Sequence, residues 1–188
     1  MARTPQWQGT GVTHVGLVRP TNQDTFLVSN ELGLWIVADG MGGHAGGDVA
    51  SQKTVEAIHN YVTERAGQEG RPAGTDEIPS FLRSALKHAN ETVRAYAKAK
   101  PEFTGMGTTV VLLYRPDPFS PLAWVAHVGD SRAYLIHDQQ FSALTRDHTV
   151  LEERIQQGLL PKSTPASHPD GHVLTLSLIH ISEPTRPY

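Results

Sequence analysis

Three aspartates in this sequence stand where an apolar run begins or ends. Asp39 closes GLWIVAD and is followed by five glycines within residues 40–47. Asp24 precedes the apolar part of DTFLVSN, and Asp130 lies in HVGDSRAY between two β-like stretches. A carboxylate beside a buried apolar strand is costly to desolvate unless it is paired or binds a cation. Asp39 therefore demands positive charge, and Gly40 lets other atoms approach the backbone closely. Three strand-end carboxylates in a chain without cysteine suit the hard, oxygen-seeking ions Mg²⁺ or Mn²⁺ rather than zinc.

The segments that must hold these groups begin with TGVTHVGLV, DTFLVSN and GLWIVAD, three β-like runs separated by Pro20, Asn22, Asn30 and Gly33. From Asp48 the period becomes helical, with Ala50, Thr54, Ala57, Ile58, Tyr61 and Val62 on one face. The stretch AGQEGRPAGTDE reads as a linker. A second amphipathic helix follows, carried by Ile78, Phe81, Leu82, Ala85, Leu86, Ala89, Val93 and Tyr96 and stopped by Pro101. Beyond it TTVVLLY, LAWVAHV, RAYLIHD and FSAL read as strands, with a hairpin turn expected at Gly129 and Asp130. Strands, two helices and more strands make an α+β fold.

A chain of 188 residues with 38% hydrophobic content supports one domain with a sizeable core. The formal net charge of -3 carries no footprint for nucleic acid or an anionic membrane surface. No run reaches the roughly 20 apolar residues that a membrane-spanning helix needs, and MARTPQWQGTG lacks the apolar core of a secretory signal. Zero cysteines fit a reducing compartment, so the cytoplasm is the expected location.

Five blocks now stand in one order: RPTNQD, ADGMGGHAGG, GMGTT, HVGDSR and LTRDHT. In that order they resemble the bacterial metal-dependent Ser/Thr protein phosphatases of type 2C, over roughly residues 10–175. The resemblance implies an antiparallel β-sandwich flanked by helix pairs, α-β-β-α, with a metal site between the sheets at one end. It implies hydrolysis of phosphoserine and phosphothreonine by metal-activated water, with two or three Mn²⁺ or Mg²⁺ ions. Asp39 would bridge two ions, the Gly40 carbonyl would bind one of them, Asp24 would hold water of the metal shell, and Asp130 would support a further ion. Arg19 would grip the substrate phosphate and His44 would be the general acid. The implied partners are phosphorylated proteins and a cognate Ser/Thr kinase that shares them.

Each residue also has a plainer reading. Asp39-Gly40 alone is an ordinary strand-end turn, Asp24 a strand-terminating cap, Arg19 a solvated surface arginine, and Asp130 a turn residue. His44 reads equally as a loop histidine without a partner. Gly105 to Thr109 read as a close strand-packing element, and His127 and His137 as packed or solvated strand residues. His168 and His172, around Pro-Asp-Gly, read as loop. Two other functions compete: a Gly-Asp-Ser-type esterase using Ser131 as nucleophile, and a non-catalytic module of the same fold that binds metal or a phosphoprotein.

The resemblance stops near residue 175. Family members continue with a Ser-Asp-Gly block and an Asp-Asn pair that supply further metal-binding aspartates, whereas this chain runs HVLTLSLIHISEPTRPY. The expected organisation is therefore a C-terminally truncated phosphatase domain over 1–175, without turnover of its own, and a non-native tail over 176–188. SLIHISEPTRPY resembles a translated sequencing-adaptor read-through.

Overall fold

The structure is a computed structural model that describes residues 7–42, 46–66 and 74–178. Strands β1 (Asp24–Ser29) and β2 (Leu34–Met41) form an antiparallel hairpin whose register sets Asp24 opposite Asp39. The connection turns at Gly33, which has φ +62 and lies so close to Arg115 that an added Cβ would stand 1.9 Å from the Arg115 carbonyl oxygen. Arg115 N donates to Gly33 O across this contact. Helices α1 (Gly47–Ala66) and α2 (Ile78–Ala99) follow, then β3 (Gly107–Thr108), β4 (Val110–Tyr114) and β5 (Trp124–Val128). The main sheet runs β1-β2-β4-β5, all antiparallel, and β3 pairs with the end of β2.

The period of two along β2 sorts its residues cleanly. Leu34, Ile36 and Ala38 are buried under the helix pair, against Val55, Ile58 and Val62 of α1 and Leu82, Ala85 and Ala89 of α2. Phe81 stacks on Tyr114 of β4 at 5.7 Å between ring centroids. The alternate residues Trp35, Val37 and Asp39 lie on the opposite face, where Val37 remains 48% exposed. Asp39 thus sits on the face away from the helices because its neighbours on the strand are the ones buried beneath them.

Strands β6 (Tyr134–His137) and β7 (Gln140–Ala143) form a separate two-stranded sheet. Asp138 and Gln139 both have positive φ, the signature of a type I′ hairpin turn. Helix α3 (Val150–Gln156) is capped by Thr149, whose Oγ1 accepts from Glu152 N. A 3-10 turn at Pro169–His172 follows. Among the described residues no helix is long and apolar enough to cross a membrane.

The α+β architecture expected from the sequence is the one observed, with one helix pair on one sheet and a second sheet of β6 and β7 among the described residues. Two local expectations are corrected. TGVTHVGLV is not a strand: residues 10–18 take part in no ladder, and Gly9 and Gly11 lie instead against the Trp35 and Phe26 rings. Gly129 and Asp130 do not close a hairpin, because β5 pairs with β4 while β6 pairs with β7, so they form a crossover between sheets. The start of the expected tail is seated in the fold: Leu178 is fully buried and its N–H donates to Thr108 O, while Leu176 packs on the core. Residues 179–188 lie outside the described residues.

Two neighbouring substitutions test which face of β2 is the core. Ile36→Ala, at a side chain only 1% exposed, should lower unfolding free energy by about 3 kcal/mol, and Val37→Ala by less than about 1 kcal/mol. Urea denaturation followed by far-UV circular dichroism measures both, and equal losses would contradict the one-sided burial.

Candidate active site

The end of β2 is clamped on both edges. Thr109 N and Thr108 Oγ1 each donate to Asp39 O at 2.9 Å, and Asp39 N donates to Thr109 Oγ1 at 3.1 Å. On the β1 side Gly40 N donates to Gln23 O at 3.1 Å, and Ser51 Oγ, from the first turns of α1, donates to the same oxygen at 2.7 Å. An added Cβ on Gly40 would stand 1.9 Å from Gly47 O, so strand and helix meet here with no room for a side chain. The block GMGTT therefore works as the packing element anticipated for it, and what it packs is the main chain of Asp39.

Asp24 and Asp39 face each other across the hairpin, an arrangement that like charges disfavour. The Asp39 carboxyl is raised to about 6 from 3.8, first by burial, then by the charge of Asp24 and a hydrogen bond with it, then by Asp130, while Arg19 works against the rise. Such a pair holds its charge comfortably only with a proton or a cation between the groups. Paired carboxylates whose charge Arg19 only partly offsets, beside a backbone bared by Gly40, fit a hard divalent ion. The fit is incomplete: among the described residues no three acidic or histidine side chains converge closely enough to enclose an ion. Asp130 lies within electrostatic range of Asp39 without completing a ligand cage.

Asp39 and Asp130 open onto a cleft of about 670 Å³ lined also by Arg19, Gly40, Thr109 and His172. Asp130 reaches it from the crossover, which is zipped to residues 145–148. Gly129 N donates to His148 Nδ1 at 3.2 Å, His148 N donates to Gly129 O at 3.1 Å, and Ala133 N donates to Thr145 Oγ1 at 3.0 Å. Arg132 closes the zipper with a bidentate pair to Asp147, Nε to Oδ1 at 2.8 Å and Nη2 to Oδ2 at 2.6 Å. The blocks HVGDSR and LTRDHT are thus two sides of one joint.

The remaining candidates separate in space. Arg19 lines the cleft, as a phosphate-binding group must. His44 lies outside the described residues. Ser131 Oγ is hydrogen-bonded to Thr109 Oγ1, a hydroxyl with no basicity to activate a nucleophile. His127 is packed, stacked on His148 at 4.5 Å, and burial with its neighbour lowers it to about 4; burial lowers His148 as well. His137 is exposed beside Asp138, and His168 accepts from Asp170 N within its turn. His172 lines the cleft together with residues far away in sequence, which His168 does not.

A family model described as protein phosphatase 2C matches residues 9–156. The serine/threonine phosphatase stp of Listeria welshimeri is 32% identical over 169 residues, 88% of this chain and 64% of that protein. The crystal structure of the Mycobacterium tuberculosis serine/threonine phosphatase PstP/Ppp superposes with a TM-score of 0.74 at 31% identity, covering 90% of this chain and 67% of that one. A structure of the catalytic domain of the serine/threonine protein phosphatase PstP in complex with two manganese ions superposes at 0.67 with 30% identity, covering 90% and 66%. The chain therefore spans somewhat under two thirds of the curated relative it matches.

The raised carboxyl makes a stability prediction for the metal-free chain. A carboxyl whose folded value lies above its unfolded value supports the fold most strongly below pH 3.8, and that support is lost as pH rises through about 6. Asp39→Asn should therefore stabilise the chain at neutral pH, by about 1 kcal/mol once solvent screening on the open side is allowed for, and should have little effect near pH 4. Thermal unfolding in chelator across that range measures it, and a pH-independent difference would show that Asp39 carries no excess charge energy.

Proposed function

The chain belongs to the protein phosphatase 2C family, and from that premise we propose that it represents a cytoplasmic protein serine/threonine phosphatase that removes phosphate from phosphoserine and phosphothreonine with Mn²⁺ or Mg²⁺. The observation that carries the reading is Asp39, opposed by Asp24 across the hairpin and sharing one cleft with Arg19 and Asp130. Asp39 and the Gly40 carbonyl would hold the ions, with Asp24 and Asp130 around them. Bound there, divalent ions supply a water acidified toward neutrality and offset the charge of the phosphate. Arg19 orients the phosphate by its guanidinium fork, and His44 delivers a proton to the departing serine or threonine oxygen. Ser131 takes no part, since the attacking oxygen comes from water. The substrates are phosphorylated proteins, and a Ser/Thr kinase that phosphorylates them is the matching partner.

One observation favours a second reading for the 188-residue chain by itself. The carboxylates present among the described residues do not enclose an ion. Alone, the chain would bind metal weakly and serve as a non-catalytic module, with turnover reserved for a version extended to the length of its relatives.

In that extended version, phosphate release from a phosphothreonine peptide should require Mn²⁺ or Mg²⁺ and vanish with chelator, while a serine-directed acylating reagent should leave it intact. Arg19→Ala should raise KM about 10-fold to 100-fold with Mn²⁺ affinity unchanged, the size expected for lost charge-assisted hydrogen bonds. Asp39→Asn should abolish both Mn²⁺ binding by calorimetry and turnover. Chelator-resistant activity, or normal Mn²⁺ affinity in Asp39→Asn, would overturn the assignment.

A further inference from the structure

We infer that His172 is a second phosphate-contacting residue, which together with Arg19 clamps the phosphate group of the substrate over Asp39 and Asp130; this rests on the phosphatase reading. Arg19 and His172 reach the cleft from different parts of the chain, the first from the segment before β1 and the second from the 3-10 turn Pro169–His172. Between them the cleft exposes Asp39 and Asp130, which repel an anion, so a phosphate bound above them needs hydrogen-bond donors from the walls.

The backbone around His172 is held from several sides. Arg154 Nη1 pairs with Asp170, and Gly171 packs so tightly that an added Cβ would lie 2.5 Å from Ala166 O. Val150 N donates to Val173 O at 2.8 Å and Thr175 N to His148 O at 2.9 Å. His148 is the same residue whose main chain and ring fasten Gly129, so the walls carrying Asp130 and His172 are tied to one another. Yet the His172 side chain is exposed and makes no hydrogen bond or ion pair that the described residues supply. His168, four residues earlier, spends its Nδ1 on Asp170 N and lies outside the cleft. An imidazole without an internal partner, on a pinned backbone and lining a cleft that also holds Arg19, is placed to donate to a ligand oxygen.

The test uses inorganic phosphate as the probe and the 188-residue chain as the protein, observed through its histidine ring resonances by NMR with and without Mn²⁺. Phosphate should shift one ring resonance that is missing in His172→Gln, and His172→Gln should weaken phosphate binding about 5-fold, with Arg19→Ala weakening it at least as much. If phosphate binds, Arg19→Ala weakens it and His172→Gln does not, the clamp is wrong while the phosphatase reading stands. If phosphate binds in neither condition, the clamp is wrong, while the phosphatase reading stands or falls separately on Mn²⁺-dependent turnover of the extended version. A kinetic arm in the extended version separates contact from proton donation: His172→Gln should raise KM with kcat retained for phosphoserine peptide and para-nitrophenyl phosphate alike. A fall in kcat confined to the phosphoserine peptide would assign His172 to leaving-group protonation and overturn the clamp.

Discussion

Two carboxylates held face to face across a β-hairpin set the terms for the rest of this structure. Asp24 and Asp39 occupy paired positions of β1 and β2, where a hydrogen bond between them and the nearby Arg19 offset only part of their repulsion. The pairing persists because each strand is fixed by what lies on its other face. A slip of one residue would move Asp39 under the helices and bring Leu34, Ile36 and Ala38 into solvent. Burial of three apolar side chains at roughly 25 cal/mol per Å² outweighs the repulsion of one partly solvated acid pair. The apolar face of β2 thereby stabilises the charged one.

Around that pair the main chain is fixed more tightly than the side chains. The Asp39 carbonyl and amide are both taken up by Thr108 and Thr109, and the Gln23 carbonyl joins β2 to the start of α1 through Gly40 and Ser51. The carboxylates project from this frame with solvent on one side, the arrangement a site needs if it is to exchange a proton for a cation. Asp130 is brought in by a different device, the joint between residues 129–133 and 145–148, whose Arg132–Asp147 pair is bidentate and close.

What could be read from the sequence was whatever local pattern decides. GLWIVAD announces a buried strand by its apolar run and a functional strand end by its charge, and both helices follow from their period and from Pro101. Helix α3 is not anticipated from the sequence, although Thr149 caps it through the Glu152 amide three residues later. Sheet membership was not legible at Gly129 and Asp130, because a turn between two β-like runs looks the same whether the runs pair with each other or with separate partners. TGVTHVGLV alternates as a strand does but lacks a neighbour to pair with among the described residues, and alternation alone cannot supply one. His172, which reads with His168 as loop, is underestimated for a related reason: it joins Arg19 and Asp39 in one cleft wall only when distant parts of the chain meet.

The clamp on Asp39 also has a consequence for the order in which the chain acquires its shape. Its β1 edge closes through a hairpin loop of a few residues, while its Thr109 edge closes only after an excursion of 70 residues through both helices. Loop-closure entropy makes the first pairing fast and the second slow. The hairpin therefore meets the mutual repulsion of its two acids before the threonines arrive to brace it.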